Sequence, residues 1–238
     1  MLSNGTGRLA VLIDAENISA KYAVPLFEEI AKLGEASVRR LYCDVRSSSS
    51  AAWLDLQPQL GLVPVHQPKN TVGKNASDIA LVVDAMDLMH SGRFDGFILV
   101  SSDSDFTRLA QRLREEGLDV VGMGEQKTPL AFRMACKLFI TVENLTQTPT
   151  TDEKTKGNGK GDGPDLNTAY QMISNAAADT NDPEGWAGLA FLGQQLTKRY
   201  PDFDARSFGY KRLSELIRAI NRFEETGEGA DHKIRQRS

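Results

Sequence analysis

Four consecutive apolar residues, Phe97–Val100, are followed at once by serines and aspartates. Such a run predicts a strand that is buried on both faces, as at the centre of a parallel sheet. The polar stretch Ser101–Asp105 then leads into a helical pattern that begins at Thr107. In open α/β sheets, ligands bind where a strand ends and its helix begins. This stretch therefore predicts the fold class and also the place of a site.

Strand and helix patterns alternate through residue 145. The apolar run Arg8–Ile13 predicts a second buried strand, and a helix is expected from about Asn75 to His90. The alternation predicts a doubly wound, mostly parallel α/β domain over residues 1–145. Because its crossovers are right-handed, the carboxyl ends of the strands share one edge.

A change of composition predicts a second domain. Residues 146–165 are mostly Thr, Gly, Lys and Asp, which is typical of a flexible linker. Residues 166–238 show three helical patterns, the third at about 205–220, and then a terminal hairpin pattern. This arrangement predicts a small winged-helix module.

Four aspartates are expected at the shared edge of the first domain. Asp14 follows the first strand, and Asp103 and Asp105 follow the central one. Asp78 precedes Leu81 by three positions, so it points toward part of the buried face of its helix. Helix capping explains Asp78 or Asp103 singly, but it explains neither Asp14 nor the doubled acids.

The acidic set predicts a cation site. Asp103 and Asp105 would repel each other by about 4 kcal/mol at ~4 Å and a dielectric near 20. Oxygen ligands without thiolate or histidine favour Mg²⁺ or Mn²⁺ over zinc, and such ions commonly act on phosphates. Asp84 and Asp87 point elsewhere, and we expect them on the solvated face of the helix.

Three sequence blocks resemble the signature blocks of NYN domains, which belong to the PIN-like nuclease superfamily. They are Asp14–Ile18, Ser77–Leu81 and Ser101–Phe106. The resemblance implies a metal-dependent ribonuclease. It assigns the acidic, metal-holding site to Asp14, Asp78, Asp103 and Asp105, and the support of the first aspartate to Asn17.

The second module resembles the LOTUS domain, also called OST-HTH, through Gly185–Gly193 and Tyr200–Leu216. The resemblance implies an RNA-binding or adaptor module, and a protein partner is also expected there. Cationic residues are the candidates for phosphate contacts. In the first domain these candidates are Lys69, Lys74 and Arg108, and in the second they are Lys211, Arg212, Arg218, Lys233 and Arg235.

The composition limits the other possibilities. A net charge of −4 means that RNA must bind through local patches. Two cysteines without Cys-x-x-Cys spacing favour a reducing cytoplasm, and neither a leader nor a membrane span is expected. A homo-oligomer remains possible.

Two other functions stay open. One is a binding protein with the same fold that recruits RNA without cutting it. The other is a small-molecule phosphatase of the haloacid-dehalogenase type, although those enzymes carry Asp-x-Asp after the first strand, and here residue 16 is Glu.

Overall fold

The computed structural model describes residues 7–44, 47–66, 76–146, 165–227 and 229–237. The chain divides into two compact units, Met1–Thr146 and Gln147–Ser238. Most of the predicted linker, residues 147–164, lies outside the described residues.

The first unit is built on a parallel sheet of six strands. The strands are β1 (Arg8–Asp14), β2 (Glu35–Cys43), β3 (Val63–His66), β4 (Gly96–Val100), β5 (Asp119–Gly124) and β6 (Leu138–Thr141). The helices are α1 (Ala23–Leu33), α2 (Ser48–Asp55), α3 (Gln57–Leu60), α4 (Ala76–His90), α5 (Thr107–Glu115), α6 (Leu130–Ala135) and α7 (Glu143–Thr146). Short 3-10 turns cover Ala20–Tyr22 and Ser104–Phe106.

The order of the strands, β3-β2-β1-β4-β5-β6, confirms the doubly wound fold. The chain moves outward from β1 to β3 and then returns to place β4 directly beside β1. The strand order therefore reverses between β1 and β4, which is where open α/β sheets bind ligands. In the register of these two strands, Ile13 is opposite Val100. Asp14 and Ser101, the residues that follow Ile13 and Val100, therefore lie side by side.

Apolar side chains on both faces explain why β1 and β4 are central. In β1, Leu9, Val11 and Ile13 face one core, and Ala10 and Leu12 face the other. All five are essentially inaccessible to solvent. A strand with two buried faces needs helices on both sides of the sheet, and the alternating sequence supplies them.

The prediction that Asp84 lies on the solvated face of its helix is wrong. Its carboxylate accepts a hydrogen bond from the Tyr42 hydroxyl at 2.8 Å and pairs with the Arg40 guanidinium at 2.6 Å. Tyr42 is fully buried, so its phenol needs an acceptor inside the fold. Asp84 provides it and thereby fastens α4 to β2. Asp87 is exposed, as expected.

The second unit is a small helical domain with a three-stranded sheet. Its elements are α8 (Leu166–Ala177), β7 (Ala187–Gly188), α9 (Leu189–Arg199), α10 (Leu213–Ile220), β8 (Phe223–Thr226) and β9 (Lys233–Gln236). The strands pair antiparallel in the order β7-β9-β8, so the predicted terminal hairpin is present. The core contains Ile173, Leu192, Leu216 and Ile234.

The prediction of one continuous third helix over residues 205–220 is wrong. A 3-10 turn, Ala205–Phe208, ends at Gly209, whose φ of 85° lies in the left-handed region. The chain then stays extended at Arg212 before α10 begins. The helical spacing of apolar residues continues through this break because both segments pack on the same core.

Two further observations concern the whole described chain. Cys43 and Cys136 are buried free thiols. Among the helices of the described ranges, none has both the length and the apolar character needed to cross a membrane.

The Asp84 contacts predict a stability effect. We expect Asp84→Ala to lower the free energy of unfolding by about 1–3 kcal/mol, because it leaves the buried Tyr42 hydroxyl without its acceptor. Urea denaturation measures this value. Asp87→Ala, which removes an exposed carboxylate from the same helix, is the control and should change it by less than about 0.5 kcal/mol. Equal losses in the two variants would contradict the assignment.

Candidate active site

Asp14 is the buried centre of the candidate site. Only 1% of its surface is exposed. One carboxylate oxygen accepts from the backbone N–H of Glu16 at 3.1 Å and of Asn17 at 3.3 Å. The other accepts from Asn17 Nδ2 at 2.7 Å and from Ser101 Oγ at 2.8 Å. Burial raises the pKa of Asp14 above its ordinary value, and these hydrogen bonds act against that rise.

The hydroxyl of Ser101 connects the two central strands. It donates to Asp14 on β1 and accepts from the backbone N–H of Asp103 at 3.0 Å. Asp103 in turn accepts from the backbone N–H of Asp105 at 2.9 Å and so caps the 3-10 turn Ser104–Phe106. Asp103 therefore does serve as a cap, which was the simpler interpretation of its position. Its half-buried carboxylate nevertheless lies at the rim beside Asp14.

Helix α4 brings Asp78 to the same rim. Asp78 lies half-buried in the first turn of the helix. The preceding residue, Ser77, is buried and donates to Glu16 Oε1 at 3.2 Å, which ties the start of α4 to the loop after β1. The pKa of Asp78 is raised to about 6, first by burial and then by the negative charges of Asp14, Asp103, Glu16 and Asp105. A carboxyl group responds to other charges in this way only when they are near.

The structure thus places all four predicted aspartates and Asn17 around one rim. Three residues that contribute to the site were not predicted from the sequence: Glu16, Ser77 and Ser101. Glu16 has a local signal, since it is an acid two positions after Asp14. Ser77 and Ser101 open two of the quoted blocks, but no local pattern predicts their roles, because these depend on contacts with residues 61 and 87 positions away.

The donor chemistry at the rim fits a hydrated, hard cation. In the described parts of the chain, no three His, Cys, Asp or Glu side chains form a ready-made metal cage, and both oxygens of Asp14 already accept hydrogen bonds. Mg²⁺, however, keeps several water ligands and needs only one or two direct carboxylates. The clustered carboxylates supply oxygen ligands and a local excess of negative charge. Asp14, Asp78, Asp103 and Asp105 are the residues that would hold the ion.

The predicted RNA contacts of the first unit are only partly described. Lys69 and Lys74 lie outside the described residues. Arg108 is on α5, one turn after Asp105, and its side chain is 76% exposed. Its guanidinium contacts Gln111 at 3.3 Å and Glu115 at 3.4 Å, both on its own helix.

The predicted RNA contacts of the second unit fall into two groups. Arg218 pairs with Glu225 at 3.2 Å. Arg235 pairs with Glu224 and stacks on the Trp186 ring. The other three are exposed and form no ion pair with another described residue; they are Lys211, Arg212 and Lys233.

Comparisons with known proteins match each unit to a domain family. The family model for the NYN domain matches residues 8–143, and the model for the OST-HTH/LOTUS domain matches residues 168–234. The two predicted resemblances, in that order, are confirmed. The search of curated proteins gives no match.

Among the solved structures to which this chain is similar is the crystal structure of a protein of unknown function from Vibrio parahaemolyticus. It is 18% identical, with a TM-score of 0.49, over 59% of this chain and 96% of that chain.

The raised pKa of Asp78 predicts a pH-dependent stability. In the unfolded chain Asp78 ionises near its ordinary pKa of 3.8, and in the folded chain near 6. Its ionised form therefore destabilises the metal-free fold, by an amount that grows as the pH rises from about 4 to 6 and then stays constant. Solvent screens part of this effect because Asp78 is only half-buried.

We therefore expect Asp78→Asn, in the presence of a chelator at pH 7, to raise the melting temperature by about 2–4 °C. At pH 4 the gain should vanish. Asp14→Ala is the contrasting variant, because it removes an acceptor of four hydrogen bonds and should lower the melting temperature at pH 7. Thermal unfolding followed by circular dichroism measures both. A destabilised Asp78→Asn would show that the charge of Asp78 is favourable in the fold.

Proposed function

We propose that this chain, which belongs to the NYN domain family, is a metal-dependent endoribonuclease whose second unit binds RNA. The observation that carries the proposal is the gathering of carboxylates at one rim, where burial first, and then the charges of Asp14, Asp103, Glu16 and Asp105, raise the pKa of Asp78. These carboxylates come from β1, α4 and the end of β4, which are far apart in sequence. Their common position at the switch point of the sheet is where this fold class binds its ligands.

Each residue has a role in this proposal. Asp14, Asp78, Asp103 and Asp105 hold Mg²⁺ or Mn²⁺, and Glu16 adds to the negative charge. A divalent cation in such a site stabilises the charge that develops on a phosphodiester during hydrolysis. Asn17 and Ser101 orient Asp14 through its second oxygen. The link from Ser77 to Glu16 fixes where α4 presents Asp78.

The second unit supports the choice of RNA as substrate. The OST-HTH/LOTUS family is an RNA-binding module, and this unit exposes Lys211, Arg212 and Lys233. Exposed cations without carboxylate partners attract phosphates more strongly than neutralised ones. We propose that these three residues contact the RNA backbone.

Cleavage is tested with the full chain, a labelled single-stranded RNA and Mn²⁺. We expect cutting within the RNA, and we expect Asp103→Asn to lower its rate at least ~100-fold. An asparagine at this position still accepts the hydrogen bond that caps the turn, so the fold is retained. Asp87→Asn is the matched control and should leave the rate unchanged. Absence of cleavage, or cleavage at an unchanged rate in Asp103→Asn, would contradict the proposal that the chain is a nuclease.

A second candidate is an RNA-binding protein that does not cut. It is favoured by one observation: both oxygens of Asp14 already accept two hydrogen bonds each from the protein. This candidate predicts RNA affinity without metal-dependent turnover. It also predicts that Asp103→Asn leaves RNA affinity unaltered in Mn²⁺. If the site held a cation that contacts the RNA, the same variant would weaken RNA binding.

The ion pairs of the second unit predict which of its cations matter. Lys211→Ala combined with Arg212→Ala should weaken RNA binding about 3- to 10-fold and reduce the salt dependence of the affinity. Arg218→Ala should weaken it less than about 2-fold, because Glu225 already neutralises that guanidinium. Fluorescence anisotropy over a range of salt concentrations measures both. A larger effect of Arg218→Ala than of the double variant would contradict this assignment.

A further inference from the structure

A surface groove lies between α5 and α6 in the first unit. It has a volume of about 630 Å³, and α5 lines it with Arg108, Gln111, Arg114 and Glu115. Helix α6 lines the other side with Met134 and small alanine side chains. The groove therefore has one polar, guanidinium-bearing wall and one apolar wall.

One of the lining residues of the groove, Arg108, lies about one helical turn after Asp105 of the candidate active site. Helix α5 continues directly from the 3-10 turn that contains Asp105. Arg108 follows Asp105 by three residues, so the two lie about one turn apart on one side of this segment. From Arg108 to Glu115 the helix rises about 10 Å. At about 3.4 Å per stacked nucleotide, this length fits two to three nucleotides.

From this arrangement we infer that the groove holds the RNA strand next to the cleaved bond. The inference rests on the proposed function for its substrate. A single strand has a phosphate side and a side of exposed base faces, and the two walls match these two sides. A duplex stacks its base faces inside the helix, so it would leave the apolar wall unused. Met134 is 43% exposed and offers its side chain to a base.

The present contacts of Arg108 leave it able to change partner. Its bond to Glu115 is long, at 3.4 Å, and highly exposed, and such pairs contribute little to stability. If Arg108 pairs with a phosphate instead, Glu115 still has a second cationic partner, Arg112, at 3.8 Å.

Arg114 has a different part in the groove. It donates to the carbonyl oxygens of Ala135 and Cys136 at 3.1 and 3.3 Å, where α6 ends. These bonds hold the two walls at a fixed distance. Arg114 is therefore unsuitable as a test of RNA contact, since its loss would move the wall.

The test uses the full chain with Asp103→Asn in every sample, so that the RNA is not consumed. A fluorescein-labelled 12-nucleotide single-stranded RNA is titrated in Mg²⁺ and followed by anisotropy. Arg108→Ala should weaken binding about 3- to 10-fold and lower the slope of log affinity against log salt by about one. Met134→Glu should weaken binding at least as much, because its carboxylate would face the strand.

Two control variants make the same chemical changes elsewhere. Arg93→Ala removes an exposed guanidinium before β4, at the opposite end of that strand from the acidic rim. Val24→Glu places a carboxylate at an exposed apolar position on α1. Neither should change the affinity by more than about 2-fold. Photo-crosslinking with 4-thiouridine should label peptides from α5 or α6.

The outcomes separate the groove from the enzyme. If all four variants bind RNA alike, or if the crosslinks avoid both helices, the groove is not the path of the RNA, whether or not the wild-type chain cuts. If only the groove variants lose affinity and the wild-type chain does not cut in Mn²⁺, the groove is the binding site of the RNA and the proposed catalysis is refuted. A wild-type chain that binds no RNA would refute the role of the groove.

Discussion

The hydrogen bond between Ser101 and Asp14 is the contact on which the site depends. It joins the ends of the two central strands at the point where the strand order reverses. A carboxylate that is 1% exposed is costly unless it accepts hydrogen bonds, and the side chains of Asn17 and Ser101 supply two of its four donors. The pairing of Ile13 with Val100 brings Asp14 and Ser101 together. The register of the sheet therefore sets the geometry of the site.

Helix α4 is held at two places, and this fixes where Asp78 lies. Near its start, Ser77 donates to Glu16, and further along, Asp84 is held by Arg40 and Tyr42 from β2. The two attachments work against the repulsion that Asp78 meets from the other carboxylates. Some of the stabilising contacts of the first unit thus offset the repulsion between carboxylates that are held close together. That arrangement is typical of sites whose charge a ligand later balances.

The sequence patterns predict the strands of the first unit well, because a strand buried on both faces is apolar throughout. The edge shared by Asp14 and Asp103 follows from right-handed crossovers alone. The patterns fail where a role depends on a distant partner: Asp84 was placed in solvent because its partners lie on β2. Ser77 and Ser101 were missed for the same reason. The break at Gly209 was missed because apolar spacing continues through it, although the glycine was a local signal.

The distribution of charge connects binding with chemistry. A chain with a net charge of −4 and an acidic rim would repel RNA in the absence of cations. The exposed guanidinium of Arg108 stands one turn from that rim, and the exposed cations of the second unit are separate from it in sequence. These cations can hold a phosphate backbone while the carboxylates bind a divalent ion. In the proposed function, attraction and reaction are therefore assigned to different residues. The proposal has the RNA approach the carboxylates only where an ion has neutralised them.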